Sequence, residues 1–270
     1  MSRFEYRGKT ALVTGASSGI GEAFSRRLAQ ECGHLILVAR ESKQIRDVAA
    51  RLQRSGKARV TVMTVDLSVP DAAAALKDSC DRHGYEIDVL VNNAGLGTFG
   101  AFHELPLAQE AHMVLLNARA VCDMAHAFLP GMLERGQGVL INTASSAAIL
   151  PTPWFATYGA SKAFVLSLSE SLWALYRRKG VRVCAVCPGP VDTGFFAKTQ
   201  SDLDSVGVFQ RRITPERVVQ QAMRGIDRCS PVMYCDWLTA IQAVLIRISP
   251  RSWVAASSEF FMRPPRSSQP

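Results

Sequence analysis

Thr10-Ala11-Leu12-Val13-Thr14-Gly15-Ala16-Ser17-Ser18-Gly19-Ile20-Gly21 is the stretch on which the fold turns. A short apolar run ends at Thr14, three glycines follow within seven residues, and 22–31 is helix-permissive. That is a strand, a tight turn and a helix start. Glycines let the chain turn sharply and bring backbone N–H groups close to a pyrophosphate at a helix N-terminus. The spacing is G-x-x-x-G-x-G rather than the more familiar G-x-G-x-x-G. Glycines also build ordinary strand–helix turns. The position directly behind the first apolar strand is what favours a phosphate loop.

Outward from this unit, short apolar runs recur at 35–38, 60–65, 89–91, 139–141, 181–186 and, less clearly, 231–235. Longer helix-permissive stretches lie between them, among them 42–55 and 109–134. Such alternation predicts an α/β fold: one Rossmann-type, doubly wound parallel sheet of about seven strands with helices on both faces. Ligands of such sheets bind at the carboxyl ends of the strands. No repeat or linker divides the chain. A single domain over 1–262 is expected, with a Pro/Ser-rich flexible tail at 263–270.

Length and composition agree with a globular chain. The 270 residues are 48% hydrophobic and 20% charged, enough to bury a core without disulfides or metals. The net charge of +8 comes without a block of consecutive basic residues. A phosphate-rich small ligand is therefore expected rather than nucleic acid. Seven cysteines, odd in number and scattered, fit a reducing compartment. Cys184 and Cys187 form a C-x-x-C inside an apparent strand. Residues three apart on a strand face opposite ways, so core packing is expected there and no metal site. With neither a signal-like segment nor a membrane-spanning run, the protein is read as cytoplasmic.

The second strand ends in Val38-Ala39-Arg40. An acid there would accept hydrogen bonds from an adenosine ribose and repel a 2′-phosphate. Arg40 instead offers a planar cation suited to phosphate, and Ser17 can add a hydroxyl, so NADP(H) is expected over NAD. Tyr158 and Lys162 lie four apart at the start of a helical stretch and share one face. An ordinary phenol titrates near 10, and a nearby ammonium lowers that value, which suits general acid–base work. Ser145, just beyond the strand at 139–141, can hydrogen-bond a substrate oxygen. Taken alone, a Tyr and a Lys at this spacing are usually no more than a helix face.

The glycine loop, Asn92-Asn93-Ala94-Gly95, Ser145, Tyr158 with Lys162, and Pro188-Gly189-Pro190-Val191-Asp192-Thr193 stand together in one familiar order and spacing. In these motifs the chain resembles the classical short-chain dehydrogenases/reductases, and Arg40 resembles their NADP-preferring subgroup. The resemblance implies that Tyr158 is the acid/base, that Ser145 orients the substrate carbonyl, and that Lys162 holds the nicotinamide ribose and lowers the phenol's pKa. It makes Asn117 the holder of a relay water. It assigns to the cofactor Gly15, Ser17, Ser18, Gly19, Ile20, Gly21 and Arg40. It adds Asp66 and Leu67 at the adenine, Asn93, Ala94 and Gly95 beside the central sheet, and Pro188, Gly189, Val191 and Thr193 around the nicotinamide, with pro-S transfer. The implied reaction interconverts a carbonyl and a secondary alcohol. A non-catalytic NADP-binding sensor of the same fold is the alternative.

Ile149, Leu150, Trp154, Phe155, Phe195, Phe196 and Phe209 predict an apolar substrate such as a lipophilic ketone or 3-oxoacyl chain. The span 193–213 is expected as a lid. Trp237, Leu238, Ile241, Val244, Leu245 and Ile248 fall on one helical stripe, followed by Arg251, Trp253, Phe260, Phe261 and Arg263. This C-terminal region can serve a subunit contact, a cover over the substrate cleft or a membrane surface. A homodimer or homotetramer is implied by the resemblance.

Overall fold

The seven apolar runs become seven strands in the computed structural model, which describes residues 3–40, 43–195, 207 and 210–263. They are β1 (Thr10–Thr14), β2 (His34–Ala39), β3 (Arg59–Thr64), β4 (Val89–Asn92), β5 (Gly138–Thr143), β6 (Val181–Cys187) and β7 (Val232–Tyr234). All pair in parallel, in the order β3-β2-β1-β4-β5-β6-β7. The order reverses between β1 and β4, and a crevice opens at that switch point. The expected doubly wound sheet is present.

Helices cover both faces because alternate strand residues point to opposite sides. Ala11 and Val13 of β1 join Leu35, Leu37, Val89 and Val91 on one face. There they meet α1 (Gly19–Glu31), α2 (Lys43–Ser55) and α7 (Pro215–Asp227) through Phe24, Leu28, Ile45, Val218 and Ile226. Leu12, Ile36, Val38 and Leu90 take the other face, against α3 (Ala72–Arg82) and α5 (Ala120–Glu134) through Leu76, Met124 and Phe128. The same alternation separates the two strand cysteines. Cys184 packs on the α1–α7 side, whereas Cys187 packs beneath α6 (Ala156–Tyr176) with Val165 and Leu166.

A buried polar chain seats α6 on the sheet. Asn92 Nδ2 donates to Asn142 Oδ1 at 3.0 Å, Asn142 Nδ2 donates to Ser169 Oγ at 2.9 Å, and Ser169 Oγ donates to the Val165 carbonyl at 2.6 Å. These bonds tie β4 and β5 to the middle of α6, with Asn92 Oδ1 alone of this polar chain left without a hydrogen-bond partner.

One region differs from the sequence reading. The helix expected over 109–134 is interrupted: α4 (Leu107–Val114) passes through a π-helical turn at Leu115–Arg119 into α5. Wide turns of this kind re-aim side chains and recur at functional sites. The C-terminal region forms two helices, α8 (Trp237–Ile248) and α9 (Arg251–Met262). Phe196 and Phe209 of the expected lid, most of 193–213, and 264–270 of the expected tail lie outside the described residues.

Candidate active site

The glycine turn is held by the strand beside it. Thr14 Oγ1 accepts from the backbone N–H groups of Asn93 and Ala94, at 2.9 and 3.0 Å. Asn93 Nδ2 returns to the Thr14 carbonyl at 3.1 Å. Gly15 has φ of +64°, and a Cβ there would stand 2.9 Å from Ala94 Cα. At Gly21 a Cβ would overlap the Gly15 carbonyl oxygen and come 2.6 Å from Asn93 Nδ2. Only glycine lets α1 start this close to β1. The first N–H groups of α1 lack partners within the helix, and its dipole favours negative charge there. Gly21→Ala is therefore expected to destabilise the fold by about 1–3 kcal/mol through overpacking. Chemical denaturation measures that loss, and a coenzyme titration measures the accompanying weakening of binding.

Beyond this turn lies a cleft of about 2140 Å³. Single small-molecule pockets are roughly 300–1,000 Å³, so a dinucleotide and a second ligand both fit. Of the catalytic and cofactor residues assigned from sequence, all line this cleft except Gly21 and Asn117. Of the described residues expected at an apolar substrate, Leu150, Trp154, Phe155 and Phe195 line it, whereas Ile149 packs beneath α6 with Val165 and Cys187. Arg40, Ser17 and Gln44 are all among the residues that line the cleft. Asp66 faces Arg40 there and accepts from the Ser68 N–H and hydroxyl at 2.9 and 2.6 Å, which holds its carboxyl below the usual range. Thr193 closes over the glycine turn: a Cβ at Gly19 would lie 2.9 Å from Thr193 Cγ2. The donor set, with unpaired helix N–H groups, a cation and no room for side chains at the turn, fits a phosphorylated dinucleotide.

Tyr158 rises from the first turn of α6 into the middle of the cleft. Its ring packs against Phe155 and Phe195, with centroids 5.6 and 5.8 Å away. Gly97 leaves space for these rings, since a Cβ there would meet Phe195 and Tyr158 at 3.1 and 3.3 Å. The Ser145 hydroxyl is within hydrogen-bonding reach of the phenol and draws its pKa down. Lys162 is buried, and its Nζ donates to the Thr143 carbonyl at 2.8 Å, 5.8 Å from the centre of the Tyr158 ring.

This electrostatic balance departs from the sequence expectation. Enclosure deep in the cleft pushes the Tyr158 phenol up to about 12, and burial pushes the Lys162 ammonium down to about 8. Desolvation outweighs attraction because the ammonium is turned toward Thr143 rather than the phenol. The phenol is thus protonated at neutral pH, the state needed to give a proton to a carbonyl oxygen.

Asn117 stands behind the cleft wall in the π turn. Its Oδ1 accepts from Leu96 N at 2.9 Å, and its Nδ2 donates to the Leu96 carbonyl at 2.8 Å and to Ser161 Oγ at 3.1 Å. Ser161 Oγ in turn donates to the Tyr158 carbonyl at 2.7 Å. Asn117 therefore ties the β4 loop to the first turn of α6. It also adjoins Lys162: a Cβ at Gly95 would stand 3.0 Å from Asn117 Oδ1 and 3.5 Å from Lys162 Nζ.

Several site residues escaped the sequence reading. Thr14 and Thr143 sit at strand carboxyl ends, which was the one signal that marked them. Phe99 had no local mark at all, yet it stacks 4.9 Å from Phe155 on the apolar side of the cleft. Met262 of α9 packs on the same pair, and Gln242, Leu245 and Ile246 of α8 line the wall beside it. Part of the C-terminal region thus lines the cleft.

A family model described as short chain dehydrogenase matches residues 9–204. Over 249 residues the chain is 32% identical to a very-long-chain 3-oxoacyl-CoA reductase of Anas platyrhynchos, spanning 87% of this chain and 76% of the relative. A short-chain dehydrogenase from Sphingobium yanoikuyae solved with NADPH superposes with a TM-score of 0.78 at 29% identity, over 90% of this chain and 96% of that one. A Burkholderia phymatum short-chain dehydrogenase/reductase solved with NAD gives 0.80 at 26% identity, over 90% and 94%.

Proposed function

Because the chain belongs to the short-chain dehydrogenase family, whose members are oxidoreductases of carbonyl and alcohol groups, we propose that it is an NADP(H)-dependent reductase of a lipophilic ketone, including the 3-oxoacyl type. One observation carries this reading. Tyr158, Ser145 and Lys162 meet where the glycine-lined half of the cleft joins a half walled by Phe99, Trp154, Phe155 and Met262. Water-poor aromatic walls suit an apolar chain, and a 3-oxoacyl relative fits the same description.

The bound coenzyme supplies the hydride. Gly15, Ser17, Ser18, Gly19 and Ile20 would hold its pyrophosphate, Arg40 and Ser17 its 2′-phosphate, Asp66 and Leu67 its adenine, and Asn93, Ala94 and Gly95 its adenosine ribose. Pro188, Gly189, Val191 and Thr193 would orient its nicotinamide. Ser145 Oγ holds the substrate oxygen, and Tyr158 Oη gives it a proton. Lys162 would hold the coenzyme's nicotinamide ribose, and a water held by Asn117 would return a proton towards Tyr158. Exposed Leu107, Val114, Leu115, Phe164 and Leu175 on α4, the π turn and α6 support a homodimer or homotetramer.

A panel of ketones and secondary alcohols, followed at the nicotinamide absorbance with both coenzymes, tests the reading. Reduction of bulky apolar ketones with NADPH is expected, at a rate nearly flat from about pH 6 to 8, because a phenol near 12 stays protonated throughout. Alcohol oxidation needs the phenolate and should rise about tenfold per pH unit over the same range. No turnover of any carbonyl or alcohol would sink the proposal.

A further inference from the structure

Helix α8 is turned inside out relative to ordinary surface helices, and α9 leaves three of its aromatics outside. In α8 the residues facing the protein are small or polar, Thr239 and Ala243, whereas Trp237, Leu238, Ile241, Val244, Leu245 and Ile248 face outward. In α9 Val254, Ser258 and Met262 face inward, four residues apart, and Trp253, Phe260 and Phe261 face out. The exposures are large: 63% for Trp237, 78% for Ile248, and 72% for both Trp253 and Phe260. A surface helix normally buries its apolar stripe, and a contiguous exposed patch of this kind marks an interaction surface. The Asp236 cap sets the orientation. Its carboxylate accepts from Thr239 N at 2.8 Å and from Thr239 Oγ1 at 2.7 Å, which turns Thr239 inward and the apolar stripe outward.

We propose that the outer face of α8 and α9 docks on the surface of an anionic phospholipid bilayer. Charge selects this occupant. Between 237 and 263 the chain carries Arg247, Arg251 and Arg263 against one acid, Glu259. Arg251 is exposed; Arg247 reaches Glu170 at 3.7 Å and Arg263 pairs with Glu259 at 2.8 Å, both solvent-exposed pairs of little strength that lipid phosphates can replace. Aromatic and aliphatic side chains flanked by arginines suit the boundary between acyl chains and anionic headgroups.

The face rests on the membrane and does not cross it. No described helix is long and apolar enough to span one, and α8 is about 18 Å long against roughly 30 Å of hydrocarbon. Leu245 and Phe261 belong both to the exposed face and to the cleft lining. The rim of the cleft is therefore part of the docking surface, and a lipid-dissolved molecule would meet the cleft without crossing bulk water.

Sedimentation of the full chain with phosphatidylglycerol/phosphatidylcholine vesicles, and with phosphatidylcholine alone, tests this. Binding to the anionic vesicles is expected, weakened by salt. It should fall by about tenfold or more in Trp253→Ser/Phe260→Ser and in Arg247→Glu/Arg251→Glu. These residues are exposed, so both variants should keep the parent's thermal transition and its mass in light scattering. Three results each overturn the proposal: no binding to anionic vesicles, equal binding by the parent and both variants, or a drop in oligomer mass in Trp253→Ser/Phe260→Ser. The last would make this face a subunit contact.

Discussion

Tyr158→Phe is expected to lower the turnover number by about 10²- to 10⁴-fold, the usual worth of a positioned proton donor, while NADPH affinity stays within a few-fold of the parent. The reason lies in what the substitution leaves untouched. The ring keeps its contacts with Phe155 and Phe195, and Lys162 keeps its hydrogen bond to the Thr143 carbonyl. The glycine turn and its ties to Asn93 are distant from the change. Only the phenolic oxygen goes, and with it the hydrogen bond from Ser145 and the proton supplied to the substrate oxygen. Single-turnover reduction beside a fluorescence titration of NADPH separates these effects. Retention of most of the activity would remove Tyr158 from the chemistry. If the parent and the variant were equally inactive on every carbonyl yet bound NADPH alike, the sensor alternative would gain instead.

The second large effect concerns the coenzyme. Ala39→Asp with Arg40→Ser is expected to shift preference from NADP(H) toward NAD(H) by roughly 100-fold. Arg40 sits at the carboxyl end of β2, facing the cleft that Ser17 also lines and across from Asp66. A charge-assisted bond from its guanidinium to a phosphate is worth about 1.5–3 kcal/mol, or about 10- to 150-fold in affinity. The new carboxylate would accept hydrogen bonds from the free ribose diol and repel the 2′-phosphate. Ratios of kcat/KM with the two coenzymes measure the shift. An unchanged ratio would show that Arg40 is merely a solvated residue ahead of α2.

Much of this was legible because it is local. Glycines at 15, 19 and 21 behind an apolar strand specify a close strand–helix turn, and their spacing needs no knowledge of the rest of the chain. The period of two in the strands told which face each residue takes, and hence that Cys184 and Cys187 part company. The four-residue spacing of Tyr158 and Lys162 placed both on one helical face. It did not tell the direction of their pKa shifts, because those depend on enclosure by Phe155, Phe195 and Gly97 and on the Thr143 carbonyl that captures the ammonium. The break at Leu115–Arg119 was invisible for a similar reason: its residues are good helix formers, and the wide turn is held by Asn117 bonding to Leu96, remote in sequence.

The order of strands and helices and the close glycine turn were thus determined by the sequence itself, through short-range geometry and the two periods of secondary structure, and the same motifs nominated the side chains proposed to react. Which way the phenol and ammonium titrate, and which way the C-terminal apolar stripe faces, were decided only when the chain packed. Periodicity shows which residues share a side, but desolvation and orientation depend on what that side meets. In α8 the small residues Thr239 and Ala243 meet the protein and the large ones meet the surroundings, whereas α9 turns Val254 and Met262 inward and Trp253, Phe260 and Phe261 outward.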